Sequence, residues 1–204
     1  MSALVLCIAF LSIAVAGRIA MHYRFAGDHG IRIRKRHAST LLLFVQALLA
    51  LSVVGAFVLS CLKAADLIRL QVDLGVTGQL VGIGIGLIGI ATTVAAQFQM
   101  GASWRIGIGE SESTELVTHG LYSYARNPIY TGMMLFGVGL LFLIPHPYMI
   151  PILAGGYLGI ELHVRKFEEP HLHRQHGIAY ATYFNGTGRY LPRLRRHPAF
   201  EEAD

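Results

Sequence analysis

The sequence predicts an all-α integral membrane protein with five transmembrane helices, the last two a helical hairpin, and a cytoplasmic C-terminal segment that completes the functional site. Three observations carry this expectation. Hydrophobic residues make up 53% of the 204 positions and charged residues only 14%, against about 25% charged in an average soluble protein. With a mean hydropathy of +0.50, the chain has more apolar side chain than a soluble core of this size hides. Five runs with almost no charge approach the ~20 residues needed to cross ~30 Å of hydrocarbon, and the basic residues segregate to one side of them.

In chain order, the first span covers residues 3–21, with Arg18 reaching back toward the boundary. The second, residues 39–62, has no charged residue, and neither has the third, residues 76–97. The fourth and fifth, residues 128–144 and 148–162, are separated by Pro145, His146 and Pro147. Two prolines in three residues end one helix and let the next turn back. Both spans are short, so they tilt little or thin the bilayer. All 204 residues form one membrane domain, with residues 163–204 as its cytoplasmic tail. A cleaved signal peptide is the rival for span one, since Ala14-Val15-Ala16 resembles a cleavage site, but no Lys or Arg precedes the run.

Orientation follows from the basic residues, which stay on the cytoplasmic side. Six lie from Arg18 to Ala38, two between spans three and four, and seven after span five; the opposite side holds only Lys63 and Arg69. The N-terminus is therefore expected outside and the C-terminus in the cytoplasm. The positive excess reads as topology, and no nucleic-acid partner is expected.

Several patterns that suggest chemistry have plainer explanations. Gly84-Ile85-Gly86-Leu87-Ile88-Gly89 spells a dinucleotide fingerprint but lies in the middle of a span, outside the strand-turn-helix context that gives the motif meaning. Gly78, Gly82 and Gly86 repeat every four residues, which suits close helix packing within the protomer or across a dimer. Cys7 and Cys61 read as buried free thiols, with an oxidised pair left open. His171, His173 and His176 have no metal-ligand spacing, so no metal is expected. Asn185-Gly186-Thr187 is a turn, its cytoplasmic side excluding glycosylation.

Two polar clusters share the cytoplasmic boundary. One is the run from Thr114 to Gly132, including Tyr122, Arg126, Asn127, Pro128 and Tyr130; the other is Arg165-Lys166-Phe167-Glu168-Glu169. A hairpin between spans four and five sets these clusters side by side, so Arg126 and Glu168 are expected in one site or ion-pair cluster. Each piece also has an ordinary structural role. Asn127 and Pro128 are good cap and first-turn residues, Glu161, Arg165, Glu168 and Glu169 have helical pair spacings, and the tyrosines suit an interface belt.

In combination the chain resembles the integral-membrane methyltransferases typified by isoprenylcysteine carboxyl methyltransferase and the phospholipid methyltransferases. The resembling residues are Leu116-Val117-Thr118, Gly120-Leu121-Tyr122 and Arg126-Asn127-Pro128-Ile129-Tyr130-Thr131-Gly132. After a hydrophobic hairpin come Glu168-Glu169, Gly177, Tyr180, Tyr183, Arg189 and Leu191-Pro192. The resemblance covers about Trp104 to Pro192. It implies S-adenosylmethionine as cofactor, contacted by Thr114, Glu115, Leu116, Val117, Tyr122, Asn127, Pro128, Ile129 and Tyr130. It also implies a catalytic set of Arg126, Arg165 and Glu168, with Arg165, Glu168 and Glu169 on the substrate side. The sequence departs from the family pattern in two places. Asn127 stands where His is usual, and Val164 occupies the usual Arg position, leaving Arg165 as a substitute displaced by one residue.

The expected function is methyl transfer to a lipophilic or small acceptor at the cytoplasmic boundary, with the carboxylate of an isoprenylcysteine-like substrate favoured. A soluble cofactor and a lipid-tailed acceptor each reach that boundary from its own phase. A carboxylate needs no strong base, whereas an amine or phenol would need one, for which Glu168 is the candidate. An NADPH-dependent membrane reductase of the sterol-reductase type and a noncatalytic membrane protein are the alternatives.

Overall fold

The computed structural model describes residues 1–26, 39–69, 72–101 and 115–193. Among these residues every regular element is helical, and the one ladder pairing is an isolated parallel bridge between Ala125 and Gly188. Helix α1 (Ser2–Phe10) runs through a π-helical stretch, Leu11–Gly17, into α2 (Arg18–Ala26). Helix α3 (Thr40–Ala64) starts where the Ser39 hydroxyl accepts the Leu42 N–H at 3.2 Å, satisfying one of the orphan donors of its first turn. Helix α4 (Gly75–Met100) is followed, beyond residue 114, by a 3₁₀ turn at Gly120–Ser123 and α5 (Pro128–Leu143). Helix α6 (Met149–His163) passes through a π-helical turn, Val164–Glu168, into α7 (Glu169–Gly186), which kinks at Gly177 (φ 52°).

Three segments are long and apolar enough to cross a membrane: Ser2–Arg24, Thr40–Ala64 and Gly75–Met100. Helix α5 is apolar but has 16 residues, about 24 Å at 1.5 Å per residue. Large apolar side chains cover the outside of the long helices, Leu51 (68% exposed) and Val76 (73%) among them. In water such a surface would cost stability; against lipid it does not.

Because lipid tails are as apolar as leucine, cohesion between these helices comes from close packing rather than from expulsion of water. Of the glycines expected to serve that purpose, Gly82 and Gly86 are closely approached by α5, a Cβ on Gly82 lying 2.9 Å from the Gly139 carbonyl, whereas one on Gly78 would meet Leu74 at the start of its own helix. A Cβ on Gly139 would lie 2.6 Å from the Gly86 backbone nitrogen, and one on Gly89 would lie 2.4 Å from that of Phe136. Gly82 and Gly86 thus pack within the protomer. Gly84, in the same fingerprint-like run, faces open space. Helix α1 packs over this pair, with Phe10 stacked on Phe136 at 4.4 Å. Cys7 and Cys61 are free thiols, Cys7 lying 3.3 Å from the Ser60 hydroxyl.

Helices α5 and α6 are joined by a short turn through Pro145 and Pro147, in which the His146 N–H donates to the Ile144 carbonyl at 2.7 Å. Helix α5 lies along α4, and α6 lies along α3, where Ser52 donates to the Ile152 carbonyl at 2.9 Å. The two consecutive helices touch each other little. A cavity of about 420 Å³ opens between them.

Candidate active site

The segment before α5 is built onto the end of α4. Gly120 has φ 61°, and a Cβ there would strike the Gln99 side chain at 2.5 Å, so both the conformation and the space call for glycine. Gln99 in turn accepts the Leu121 N–H at 2.7 Å. This brings Tyr122 inward, 6% exposed, with its hydroxyl donating to the Ala96 carbonyl at 3.4 Å.

The chain after α7 then straps this segment down. The Arg126 N–H donates to the Gly188 carbonyl at 2.8 Å and the Asn127 N–H to the Arg189 carbonyl at 2.9 Å. The Thr131 hydroxyl donates to the Tyr190 carbonyl at 2.7 Å, and the Tyr183 hydroxyl to the Tyr122 carbonyl at 2.6 Å. Asn127 is buried but makes no side-chain cap to α5, so its expected capping role is not what fixes it.

Under the strap lies a charge network. The Arg126 guanidinium pairs with Glu169 at 2.9 Å, both side chains under 10% exposed, and sits 4.0 Å over the Phe184 ring. It also donates to the Phe184 carbonyl at 2.8 Å and to the Thr187 carbonyl. Arg189 bridges Glu169 (2.9 Å) and Glu161 (3.0 Å), and Glu161 accepts the Tyr190 hydroxyl at 2.7 Å. Burial alone would push the Glu169 carboxyl up, but the hydrogen bonds from Arg189 and Arg126 outweigh it and hold Glu169 below the usual carboxylate range.

Glu168 does not join this network. Its carboxylate accepts the Tyr130 hydroxyl, and its Oε2 is buried without a protein partner among the described residues. Burial pushes Glu168 up to about 7, with the neighbouring Glu169 charge adding to the rise and the Tyr130 hydrogen bond opposing it. The expected juxtaposition of Arg126 with Glu168 is therefore replaced by Arg126 with Glu169. The reason is helical geometry: successive side chains point about 100° apart, so the adjacent carboxylates meet different neighbours.

Arg165 is not a partner of Glu168 either. Its side chain is 58% exposed and pairs with Glu161 one turn back, while Val164, at the position where the resemblance implies Arg, is fully buried. Arg165 thus touches the outer rim of the network only through Glu161. Of the residues expected to contact a cofactor, Tyr122, Asn127 and Pro128 are buried, Leu116, Val117, Ile129 and Tyr130 are half-buried, and Glu115 is exposed. Thr114 lies outside the described residues.

Tyr130 also lines the cavity between α5 and α6, whose other walls include Phe10, Leu49, Met133, Leu153 and Ile160. An almost wholly apolar space thus ends at a phenol that is hydrogen-bonded to a buried carboxyl.

With this geometry in place, the sequence comparison is decisive. The phospholipid methyltransferase family matches residues 77–179, half of the chain. The chain belongs to that family. No curated protein sequence matches it. Among solved structures, the eukaryotic intramembrane Ras methyltransferase, isoprenylcysteine carboxyl methyltransferase, superposes with a TM-score of 0.53 at 19% identity, covering 86% of this chain. This chain spans 60% of that protein's length. The likeness establishes a shared fold. Family membership and the three long apolar helices together make it a multi-pass helical membrane protein.

The family match ends at residue 179 and begins after the first two spans. Tyr183, Arg189 and Tyr190, which complete the charge network, fall beyond it, as does Arg18 in the first span. Arg18 read as a boundary residue in the sequence; in the structure it is 6% exposed, and its guanidinium donates to the Gly101 carbonyl at the end of α4. No local sequence signal distinguishes a buried arginine from one that reaches the interface.

Proposed function

We propose that this member of the family transfers the methyl group of S-adenosylmethionine to a lipophilic acceptor at the cytoplasmic membrane boundary. In this reading the chain crosses five times, with the N-terminus outside and the strap inside. One observation carries it: Tyr130, a wall of the apolar cavity, is hydrogen-bonded to the buried Glu168. A lipid tail fits the cavity, and its reacting group then lies where a soluble donor enters from the other side.

The residues present suit that donor. A sulfonium is a cation, and Glu168 with the faces of Tyr122 and Tyr130 offers a carboxyl and aromatic rings to hold it. When bound, S-adenosylmethionine supplies an electrophilic methyl group. The protein's share is alignment of the acceptor and exclusion of water, for which the strap closes Arg126 and Asn127 against Gly188 and Arg189 while Tyr183 of α7 holds Tyr122. Leu116, Val117, Pro128 and Ile129 line the same approach in this reading, and Glu115 extends it toward the cytosol.

For the acceptor, the isoprenylcysteine-like carboxylate is the first reading. Glu168 in its neutral form then donates a hydrogen bond from Oε2 to that carboxylate. A second reading, an amino headgroup, is favoured by Glu168 itself: a buried carboxylate attracts an ammonium and can take its proton. The test uses purified protein in nanodiscs with methyl-labelled S-adenosylmethionine and a membrane lipid extract. Label moving into lipid supports the proposal, and its lability to alkali separates an ester from a methylated amine. Saturable NADPH binding with none for S-adenosylmethionine would replace this reading by the reductase, and binding of neither would leave the noncatalytic one.

A further inference from the structure

A second cavity, of about 620 Å³, lies at the end of the bundle opposite Glu168. Its walls come from the start of α1, the end of α3, the loop that follows it, the start of α4 and the end of α5. This end is the one expected to face away from the cytoplasm, where basic residues are disfavoured. The two that occur there, Lys63 and Arg69, both line the cavity.

Asp66 and Asp73 line the same space, so the simplest arrangement would pair the two cations with the two carboxylates. That does not happen: among the described residues none of the four forms an ion pair. Asp73 is engaged at the start of α4, where its Oδ1 accepts the Gly75 N–H at 2.8 Å. Asp66 follows the C-cap of α3, and the helix closes there through the Asp66 N–H to the Lys63 carbonyl at 3.2 Å and the Leu67 N–H to the Leu62 carbonyl at 2.9 Å. This closure needs a left-handed residue, φ 54° at Asp66, and glycine is its usual occupant. A carboxylate is thus kept where glycine would be easier, in one cavity with two cations that it does not neutralise.

Other walls are apolar, among them Ile68, Phe142 and Leu143. A space lined partly by separated charges and partly by hydrocarbon suits an amphiphile whose polar end carries both signs. A phosphodiester matches the Arg69 fork and the Lys63 ammonium, and the start of α4 adds the positive end of a helix dipole to the same wall. Asp66 is left to face a cation.

We propose that this cavity binds a phospholipid with a zwitterionic headgroup, its phosphate held by Lys63 and Arg69, its ammonium by Asp66, and its glyceride part against Ile68, Phe142 and Leu143. The site lies apart from the proposed methyl-transfer site, and the inference does not rest on that reading. A lipid seated there ties together the ends of α1, α3, α4 and α5, whose cohesion in a bilayer gains nothing from expelling water.

The test measures binding of three short-chain probes to the full chain in a non-ionic detergent. Dihexanoylphosphatidylethanolamine carries phosphate and ammonium, dihexanoylphosphatidylglycerol the phosphate alone, and dihexanoylglycerol neither; affinity should fall in that order. Lys63→Gln combined with Arg69→Gln should weaken the first two probes about 10- to 100-fold, the range of one charge-assisted bond or more. Asp66→Asn, which still tolerates the left-handed backbone, should erase the preference for the first probe over the second. Lys166→Gln combined with Arg174→Gln, which removes the same charge from exposed residues at the other end, should change binding less than about twofold. Equal weakening by the two double variants reduces the binding to surface electrostatics and overturns the proposal. A wild type that does not rank the three probes overturns it without any variant, and a tie between the first two removes the ammonium from Asp66 and with it the zwitterionic headgroup. If phosphoethanolamine without acyl chains binds as tightly as the first probe, the occupant is a soluble ion and the lipid assignment falls.

Discussion

Arg126 and Glu169, separated by 43 positions in the chain, meet at 2.9 Å in a nearly dry environment and tie the start of α5 to the start of α7. Glu168, the preceding residue, turns away to Tyr130. One acidic doublet thus divides its work, with Glu169 holding the strap and Glu168 bonded to Tyr130 in the cavity wall.

Removing either partner of the first pair should therefore act on stability before it acts on chemistry. Glu169→Ala strands the buried Arg126 charge, at a cost of about 3–5 kcal/mol, whereas Arg126→Ala should cost less, because Arg189 still pairs with Glu169. The double variant should lose less than the two single losses added together, because no charge is stranded. Thermal unfolding in detergent measures both. Glu169 is held below its ordinary value, so its contribution is present at neutral pH and is lost as pH falls through the folded-state value. The wild type should destabilise in mild acid more steeply than Glu169→Gln.

Glu168 should control the pH dependence of turnover, with an inflection near the value of about 7 to which burial raises it. The sign identifies the acceptor. If Glu168 takes a proton from an amine, kcat/KM rises through that inflection; if neutral Glu168 donates to a carboxylate, kcat/KM falls. Glu168→Gln should remove the inflection in either case. Because ionising a raised carboxyl costs stability, that variant should be no less stable than wild type at pH above 7. A profile unchanged by the substitution would take Glu168 out of the reaction.

The α4–α5 contact gives a prediction independent of chemistry. Gly139→Ala and Gly89→Ala place a methyl against backbone that has no room to yield, and should cost about 1–3 kcal/mol or more. Gly84→Ala, with nothing within 4 Å, is the control. It should be neutral or stabilising by up to about 1 kcal/mol, since alanine is the better helix former.

Filling the cavity should discriminate between acceptors by tail length. Leu153→Trp adds bulk to the wall between α5 and α6. It should raise KM for a long-tailed acceptor while leaving kcat for a tail-less analogue near wild type. Equal effects on both acceptors would place the tail elsewhere.

The sequence by itself determined the solvent and the neighbourhood. Long charge-free runs require helices whatever their neighbours are, because hydrocarbon leaves no other way to satisfy backbone hydrogen bonds. The glycine period in α4 announced a close approach, and the Arg126 to Gly132 run together with the acidic doublet announced the family. Tertiary structure alone decided the partners. Whether Glu168 or Glu169 receives Arg126 depends on how their helix is turned toward its neighbours, and whether α6 packs on α5 or on α3 depends on which surfaces interlock. Arg18 looked like any boundary arginine, since burial is a property of the assembled helices and not of the residue. Local periodicity fixes which face of a helix is apolar, but the identity of what lies against that face is a long-range fact, settled only when distant segments compete for the same contact.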